Sequence, residues 1–349
     1  MLKRLFGYFG SDLAVDLGTA NTLISVAGEG LVLDEPSVVA VWQRTGRILS
    51  GGCAVGHLAK QMLGRTPESI SVVRPLSAGV ITDFELCEAM LGYFFRKAQR
   101  PGLKLRPRVL VAVPGSITPV EKRAVFNSTH RAGARQVFVV PEAKAAAIGV
   151  GLPIGEPVAS MVCDIGGGTT EVAVMSLGDV VAGRSIRTGG DEMDQAVVDY
   201  LRRHRSLRIG PSAAEHLKIE IGSAWPLEEE RAEEVCGLDT ASGLPRKATV
   251  TSEEIRQALS GPLETILDAI KHTLDQLTPD LAADLMQNGL LLSGGGSLTR
   301  GIERFLAHET GLPVRVAPEP LTTVAKGTLI CLEHLERWRP ALESSDDDV

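Results

Sequence analysis

Short apolar runs alternate with longer segments whose apolar positions recur every three to four residues, from Asp12 almost to the end of the chain. The runs at 13–17, 22–26, 109–113, 137–140, 159–163, 171–175 and 290–292 predict β-strands. The segments 85–99, 119–132, 191–203, 212–223, 253–276 and 299–308 predict helices, and a helix-like 143–149 follows the strand near Val140. Asp191 is placed to cap its helix, with Met193, Val197 and Leu201 along one face. Strands and helices taken in turn make an α/β protein. Three segments stand apart: a leader at 1–11, a charged and Gly-rich stretch at 227–245 that predicts an exposed insertion, and 341–349, which predicts a disordered acidic tail.

One internal echo organises the rest. Asp16-Leu17-Gly18-Thr19-Ala20-Asn21-Thr22 matches Asp164-Ile165-Gly166-Gly167-Gly168-Thr169-Thr170 as Asp-aliphatic-Gly-x-x-x-Thr. Each copy follows one apolar run and leads into another, so each predicts a hairpin whose Gly turn exposes backbone N–H groups. Two such hairpins imply duplicated halves facing each other. Glycine lets a backbone approach phosphate closely, and two opposed turns can clamp a nucleotide tail. An Asp at each strand end repels bare phosphate, so Asp16 and Asp164 together imply Mg²⁺ held largely through water. Either Asp alone is equally well read as satisfying turn amides.

A third Gly cluster, Ser293-Gly294-Gly295-Gly296-Ser297, again runs from strand toward helix, where N–H groups suit a phosphate or nucleoside. There is no GxxxxGK[ST], and no GxGxxG follows the first strand, which excludes a P-loop and counts against a dinucleotide fold. Glu142 is the candidate for orienting or deprotonating an attacking water, with plain stabilisation of a helix N-terminus as the competing reading.

Composition narrows the field further. The 349 residues suit two domains, and 44% hydrophobic with 23% charged residues is a globular balance. A net charge of −7 gives no basic footprint for nucleic acid. Five cysteines stand singly, with no CxxC, which fits a reduced compartment and supports neither zinc nor a disulfide frame. No run spans a bilayer and no signal peptide is evident, so a cytosolic protein is expected.

The run 16–22, the loop 164–171, the turn 293–297 and the segment 321–327 resemble the phosphate, adenosine and connecting motifs of the actin/Hsp70/sugar-kinase superfamily. More closely, Asp-Leu-Gly-Thr-Ala-Asn-Thr-Leu (16–23), Glu-Pro-Ser-Val-Val-Ala (35–40), Lys-Gln-Met-Leu-Gly-Arg-Thr-Pro (60–67), Ala-Ala-Ala-Ile-Gly (145–149) and Asp-Ile-Gly-Gly-Gly-Thr-Thr-Glu-Val-Ala-Val (164–174) resemble the MreB family of bacterial actins over about 12–334. The resemblance implies an actin-like, ribonuclease H-like duplicated fold with the nucleotide cleft between domains. Domain I would be 12–149 plus about 320–338, with a small subdomain at about 36–82. Domain II would be 150–319, with a small subdomain at about 190–252.

On matching positions, Asp16, Gly18, Thr19, Ala20, Asn21, Thr22, Gly166, Gly167, Gly168, Thr169 and Thr170 would surround the phosphates of ATP. Glu215 and Lys218 would hold the ribose and adenine side, and Gly294, Gly295, Gly296 and Ser297 would close over the nucleoside. Glu142 and Thr169 would position the attacking water in a slow ATPase. The family also implies filaments, as paired protofilaments, on the cytoplasmic face of the inner membrane. There they determine rod shape and guide peptidoglycan synthesis with the cell-wall elongation machinery. Two departures stand out. The family has Glu-Pro-Met where this chain has Pro141-Glu142-Ala143-Lys144, which moves the fixed φ and bears on hydrolysis more than on binding. Ser77-Ala78-Gly79 replaces Arg-Asp-Gly in a segment expected at the surface.

At 100° per residue, Lys3 and Arg4 fall on one side of the leader and Leu2, Leu5, Phe6 and Phe9 on the other, which predicts a short interfacial helix. Such an anchor is weak singly and gains by avidity on a filament. The competing reading is a frayed terminus packed on the body. Leu103 and Leu105 form a second apolar spot, read as an ordinary loop ahead of lipid contact. Among other functions, a sugar-type kinase on the same fold would need an acceptor pocket, for which no signature is found. A chaperone would need a peptide-binding domain after about residue 327.

Overall fold

The computed structural model describes residues 12–99, 106–339 and 342–345. The leader, Leu103, Leu105 and Asp346–Asp348 therefore lie outside the described residues.

Two large sheets carry the architecture. The strands that form them are β1 (Leu13–Leu17), β2 (Asn21–Val26), β3 (Gly30–Pro36), β4 (Arg108–Val113), β5 (Gln136–Pro141), β6 (Ser160–Ile165), β7 (Thr170–Ser176), β8 (Asp179–Ile186), β9 (Leu290–Ser293), β10 (Val314–Val316) and β11 (Glu343–Ser344). The first sheet has the order β11-β5-β4-β1-β2-β3 and the second β8-β7-β6-β9-β10. In both, an antiparallel hairpin is flanked by an antiparallel third strand on one side and a parallel strand on the other. The registers also correspond: Asp16 faces Leu23 and Leu17 faces Thr22 in one, while Asp164 faces Glu171 and Ile165 faces Thr170 in the other. The echo read in the sequence is thus a duplicated hairpin.

The strands read as continuous apolar runs because both faces are covered. Leu13 and Val15 point into a core with α1 (Phe84–Ala98) and α2 (Pro119–Ala132), and Ala14 between them points the other way. Around the second sheet, Met161, Cys163 and Ile165 pack with α4 (Gly190–Arg205), α5 (Pro211–Ile221) and α6 (Ser252–Leu274). A third core fills the space between the sheets. It joins Leu110, Phe138 and Val140 to Val162, Met175 and Leu291 through α3 (Glu142–Val150) and α7 (Thr323–Glu333). These two helices meet at backbone contact: a Cβ on Gly149 would stand 2.2 Å from the carbonyl oxygen of Thr323, and one on Gly327 would stand 1.7 Å from that of Ala145.

Helix boundaries follow local chemistry. α2 spans the 119–132 that the sequence predicts, opening on a reciprocal Thr118–Glu121 capping box and closing at Gly133. The expected Asp191 cap is corrected. The helix starts at Gly190 after Gly189, whose N–H donates to Glu192, and Asp191 turns instead to an ion pair with Arg74. The stretch 227–245 is exposed as expected, with Val235 alone buried, but it is regular in structure. It forms much of a hairpin, Ala232–Asp239 with Pro245–Thr251, in a three-stranded sheet with Leu207–Arg208, and buries Val235 and Val250. A two-stranded sheet, Val39–Trp42 with Ile70–Val73, occupies the corresponding place in the first half. The disordered tail is corrected at 342–345, where β11 pairs with β5 and Leu342 is buried. Among the described residues, no helix is long and apolar enough to cross a membrane.

Candidate functional site

The two Gly turns lie at the strand ends where the two halves face each other, and they touch. A Cβ built on Gly167 would come within 2.5 Å of the Ala20 methyl, and one on Gly168 within 2.9 Å of Thr19. Gly is required there because the neighbouring turn already fills the space. Beside this contact opens a cleft of about 640 Å³ lined by Asp16, Gly18, Thr19, Ala20, Asn21, Glu142, Asp164, Gly166, Gly167, Thr169, Glu215, Lys218, Gly294, Gly295 and Gly296. Residues proposed from distant stretches of chain thus share one concavity.

Four proposed residues stand behind that surface. The Thr22 hydroxyl hydrogen-bonds with Ser37 at 2.9 Å, and Thr170 donates to the Thr188 carbonyl at 2.7 Å. Ser297 donates to the Gly294 carbonyl at 2.6 Å, and Gly168 packs on Thr19. Their polar groups hold the turns in shape. Of Ser77-Ala78-Gly79, Ser77 is exposed as expected, but Gly79 reaches the cleft, where its N–H donates to the Thr19 hydroxyl at 2.9 Å.

The electrostatics are dominated by carboxylates. Burial, with Asp164 and Asp34 nearby, pushes Asp16 up to about 7. Burial first, then the charges of Glu171, Asp16 and Asp164, raises Glu142 well above the usual carboxylate range. Asp164 is raised by burial against the opposing hydrogen bond from Ser293. Glu171, which reasoning from sequence missed, completes the set. Burial lifts it to about 7 although the Gly115 N–H donates to it at 2.6 Å. Its signal was a charge inside the apolar run 170–175.

A site holding this much acid favours a bound cation. Hard oxygen donors suit Mg²⁺, which keeps much of its water shell. Among the described residues, no three His, Cys, Asp or Glu side chains stand close enough to chelate a metal by themselves. This geometry fits a hydrated ion shared with a phosphate and does not fit a protein cage.

Cationic groups sit farther along the cleft, each already paired. Lys60 bridges to Glu215 at 2.9 Å and Arg74 to Asp191, so both pairs span the two halves. Lys218 contacts Asp194 at 2.7 Å and donates to the Gly190 carbonyl at 2.9 Å. Lys60, Arg74 and Asp194 were also missed, since none lies in a glycine-rich turn, and Asp191, directly after Gly189-Gly190, was read only as a helix cap.

The raised carboxylates carry a pH prediction. A folded pKa above the unfolded value contributes stability that is complete below about 4 and lost as pH rises through the folded values near 7. Without nucleotide or Mg²⁺, the melting temperature should therefore fall from about pH 5 to about pH 8, and Glu171→Gln should flatten that fall. Thermal melts across the range check it, and equal slopes for parent and variant would refute it.

The family model for the MreB/Mbl protein matches residues 10–340. The cell shape-determining protein MreB of Escherichia coli (strain K12) is 50% identical over 337 residues, covering 96% of this chain and 97% of its own. The cell shape-determining protein Mbl of Bacillus cereus is 45% identical over 329 residues, covering 94% and 98%. Among solved structures, MreB 5 of Spiroplasma citri bound to AMPPNP superposes with a TM-score of 0.89 at 36% identity, covering 95% and 98%. The MamK double helical filament, at 22% identity and a TM-score of 0.78, is alike in fold.

Proposed function

The chain belongs to the MreB/Mbl family and has its actin-like fold, and from this premise we propose that it is an ATP-binding, membrane-associated filament protein that shapes the cell. One observation carries the reading: two mirrored turns in contact, flanked by Asp16 and Asp164, on a cleft large enough for a nucleotide.

In this reading domain I comprises 12–149 and about 320–338, and domain II comprises 150–319. The N–H groups of the turns at 18–21 and 166–169 bind the phosphates. Asp16 and Asp164 would hold Mg²⁺, which would supply charge neutralisation to the phosphates. Glu142 at the start of α3 and the Thr169 hydroxyl orient the attacking water, making the protein a slow ATPase. Gly294, Gly295 and Gly296 face the nucleoside. Glu215 and Lys218 meet it only by giving up part of their present pairing. The structure of MreB 5 of Spiroplasma citri with AMPPNP, and another of it with ADP, support nucleotide in this cleft.

Self-association into filaments, their lateral pairing, attachment of the leader to the cytoplasmic face of the membrane and guidance of cell-wall synthesis belong to the same proposal. The protein should pellet with anionic liposomes when ATP is present and show filaments on lipid by electron microscopy, and removal of residues 1–9 should abolish pelleting. A chain that remains monomeric at high concentration with ATP would overturn the reading.

A further inference from the structure

Two ion pairs join the halves across the cleft, and they are not equivalent. Lys60 closes the one-turn helix His57–Lys60, which the first half holds in place. There the buried carboxylate of Glu35 accepts the His57 N–H at 2.8 Å and pairs with Lys97 of α1. From that platform Lys60 Nζ reaches Glu215 of α5 at 2.9 Å. Leu63 and Ile219, each one turn on from a partner of this pair, also line the cleft. Apolar walls beside a single carboxylate suit the flat body and hydroxyl groups of a nucleoside and offer nothing to a phosphate.

The second pair belongs to the phosphate end. One guanidinium nitrogen of Arg74 donates to both carboxylate oxygens of Asp191, each at 2.6 Å. Asp191 is stitched to the second Gly turn, since its own N–H donates to the Gly167 carbonyl at 2.7 Å and the Gly190 N–H donates to that of Gly166 at 3.0 Å. On the other side, Arg74 stands five residues before Gly79, whose N–H holds the Thr19 hydroxyl of the first turn. This pair therefore keeps the two turns face to face. Its carboxylate is not one that the ligand requires.

We propose that Lys60 is an affinity-setting residue that works against the nucleoside, because it occupies the Glu215 carboxylate that the nucleoside needs. The inference rests on the nucleotide reading above and adds what holds that carboxylate before the ligand arrives. A lysine ammonium and a sugar hydroxyl are both donors, and they compete for one acceptor. Arg74–Asp191 survives occupancy and supports binding of anything that carries the phosphates. Two pairs of the same chemistry across one cleft thus act in opposite directions on the same ligand.

The test compares equilibrium binding of ATP and of tripolyphosphate, both with Mg²⁺, to the full chain. Tripolyphosphate makes the phosphate contacts and leaves Lys60 and Glu215 paired, so the ratio of the two affinities cancels any effect of a substitution on closure of the cleft. Exposed ion pairs of this kind shift an equilibrium by up to about fivefold. Lys60→Met should therefore raise the ratio of ATP to tripolyphosphate affinity about two- to fivefold. Arg74→Met should weaken both ligands and leave the ratio as in the parent. In a Glu215→Gln background the effect of Lys60→Met on the ratio should largely vanish. The proposal is overturned if Lys60→Met leaves the ratio unchanged, or lowers it, which would make Lys60 a nucleoside contact itself. It is equally overturned if the rise persists with Glu215→Gln in place. A parent chain that binds neither compound overturns the nucleotide reading and this inference with it, whereas one that binds both with a ratio that Lys60→Met does not move overturns this inference alone.

Discussion

Glu142→Ala is expected to bind ATP as the parent does and to hydrolyse it about 10²–10⁴-fold more slowly, the usual contribution of a positioned proton acceptor. The side chain is buried at the start of α3, lines the cleft and sits among Asp16, Asp164 and Glu171. Because burial first, and then those neighbours, raise its pKa, it acts as a base only when a bound cation offsets the surrounding charge. The loss should therefore appear in single-turnover phosphate release with Mg²⁺ and leave nucleotide affinity within a few-fold. Asp16→Ala gives the complementary pattern, losing the Mg²⁺ dependence of binding itself. Equal hydrolysis by Glu142→Ala and the parent would remove Glu142 from the role. The proline that precedes it belongs to β5 and leaves the helix hydrogen bonds of α3 intact, so its displaced position does not disorder the start of the helix.

The second large effect is on stability. Gly327→Ala places a methyl 1.7 Å from the Ala145 carbonyl oxygen, a clash of backbone with backbone that no rotamer relieves. Overpacking usually costs about 1–3 kcal/mol, and a fixed contact this short belongs at or beyond the upper end. A fall in melting temperature of about 6 °C or more is expected for a chain of this size. Gly92→Ala in α1 is the control. Its Cβ would meet nothing closer than 3.5 Å, so the same substitution should stabilise by about 0.5–1 kcal/mol. Equal melting temperatures for the two variants would mean that the α3–α7 crossing yields where the geometry says it is rigid.

Much of this was legible in the sequence because the chemistry was local. The strand at 13–17 and the helix at 119–132 have boundaries set by an apolar run and by a capping box. The paired turns were legible because the two heptads are alike. Other features were illegible for identifiable reasons. The 232–251 hairpin carries Glu234 and Lys247 on its open face, and its other face mixes Glu233 and Arg246 with the buried Val235 and Val250. Charge therefore outweighed a weak alternation. Glu343 and Ser344 read as tail because a two-residue strand has no pattern of its own and is defined by the edge it meets. Thr22, Thr170 and Ser297 were assigned to ligand because hydroxyl groups next to glycine look alike whether they face a cleft or tie down a turn. Lys60 and Arg74 were invisible because their partners, Glu215 and Asp191, are more than a hundred residues away.

The contact between the two turns also settles what sort of likeness the heptads share. At the closest approach one turn contributes Thr19 and Ala20 while the other contributes Gly167 and Gly168, a knob set against a socket. Transplanting the first heptad into the second site would drive methyl into methyl, and the reverse exchange would leave a hole. The halves have diverged into complementary tools that cannot trade places, and two copies of either alone would not rebuild the vice.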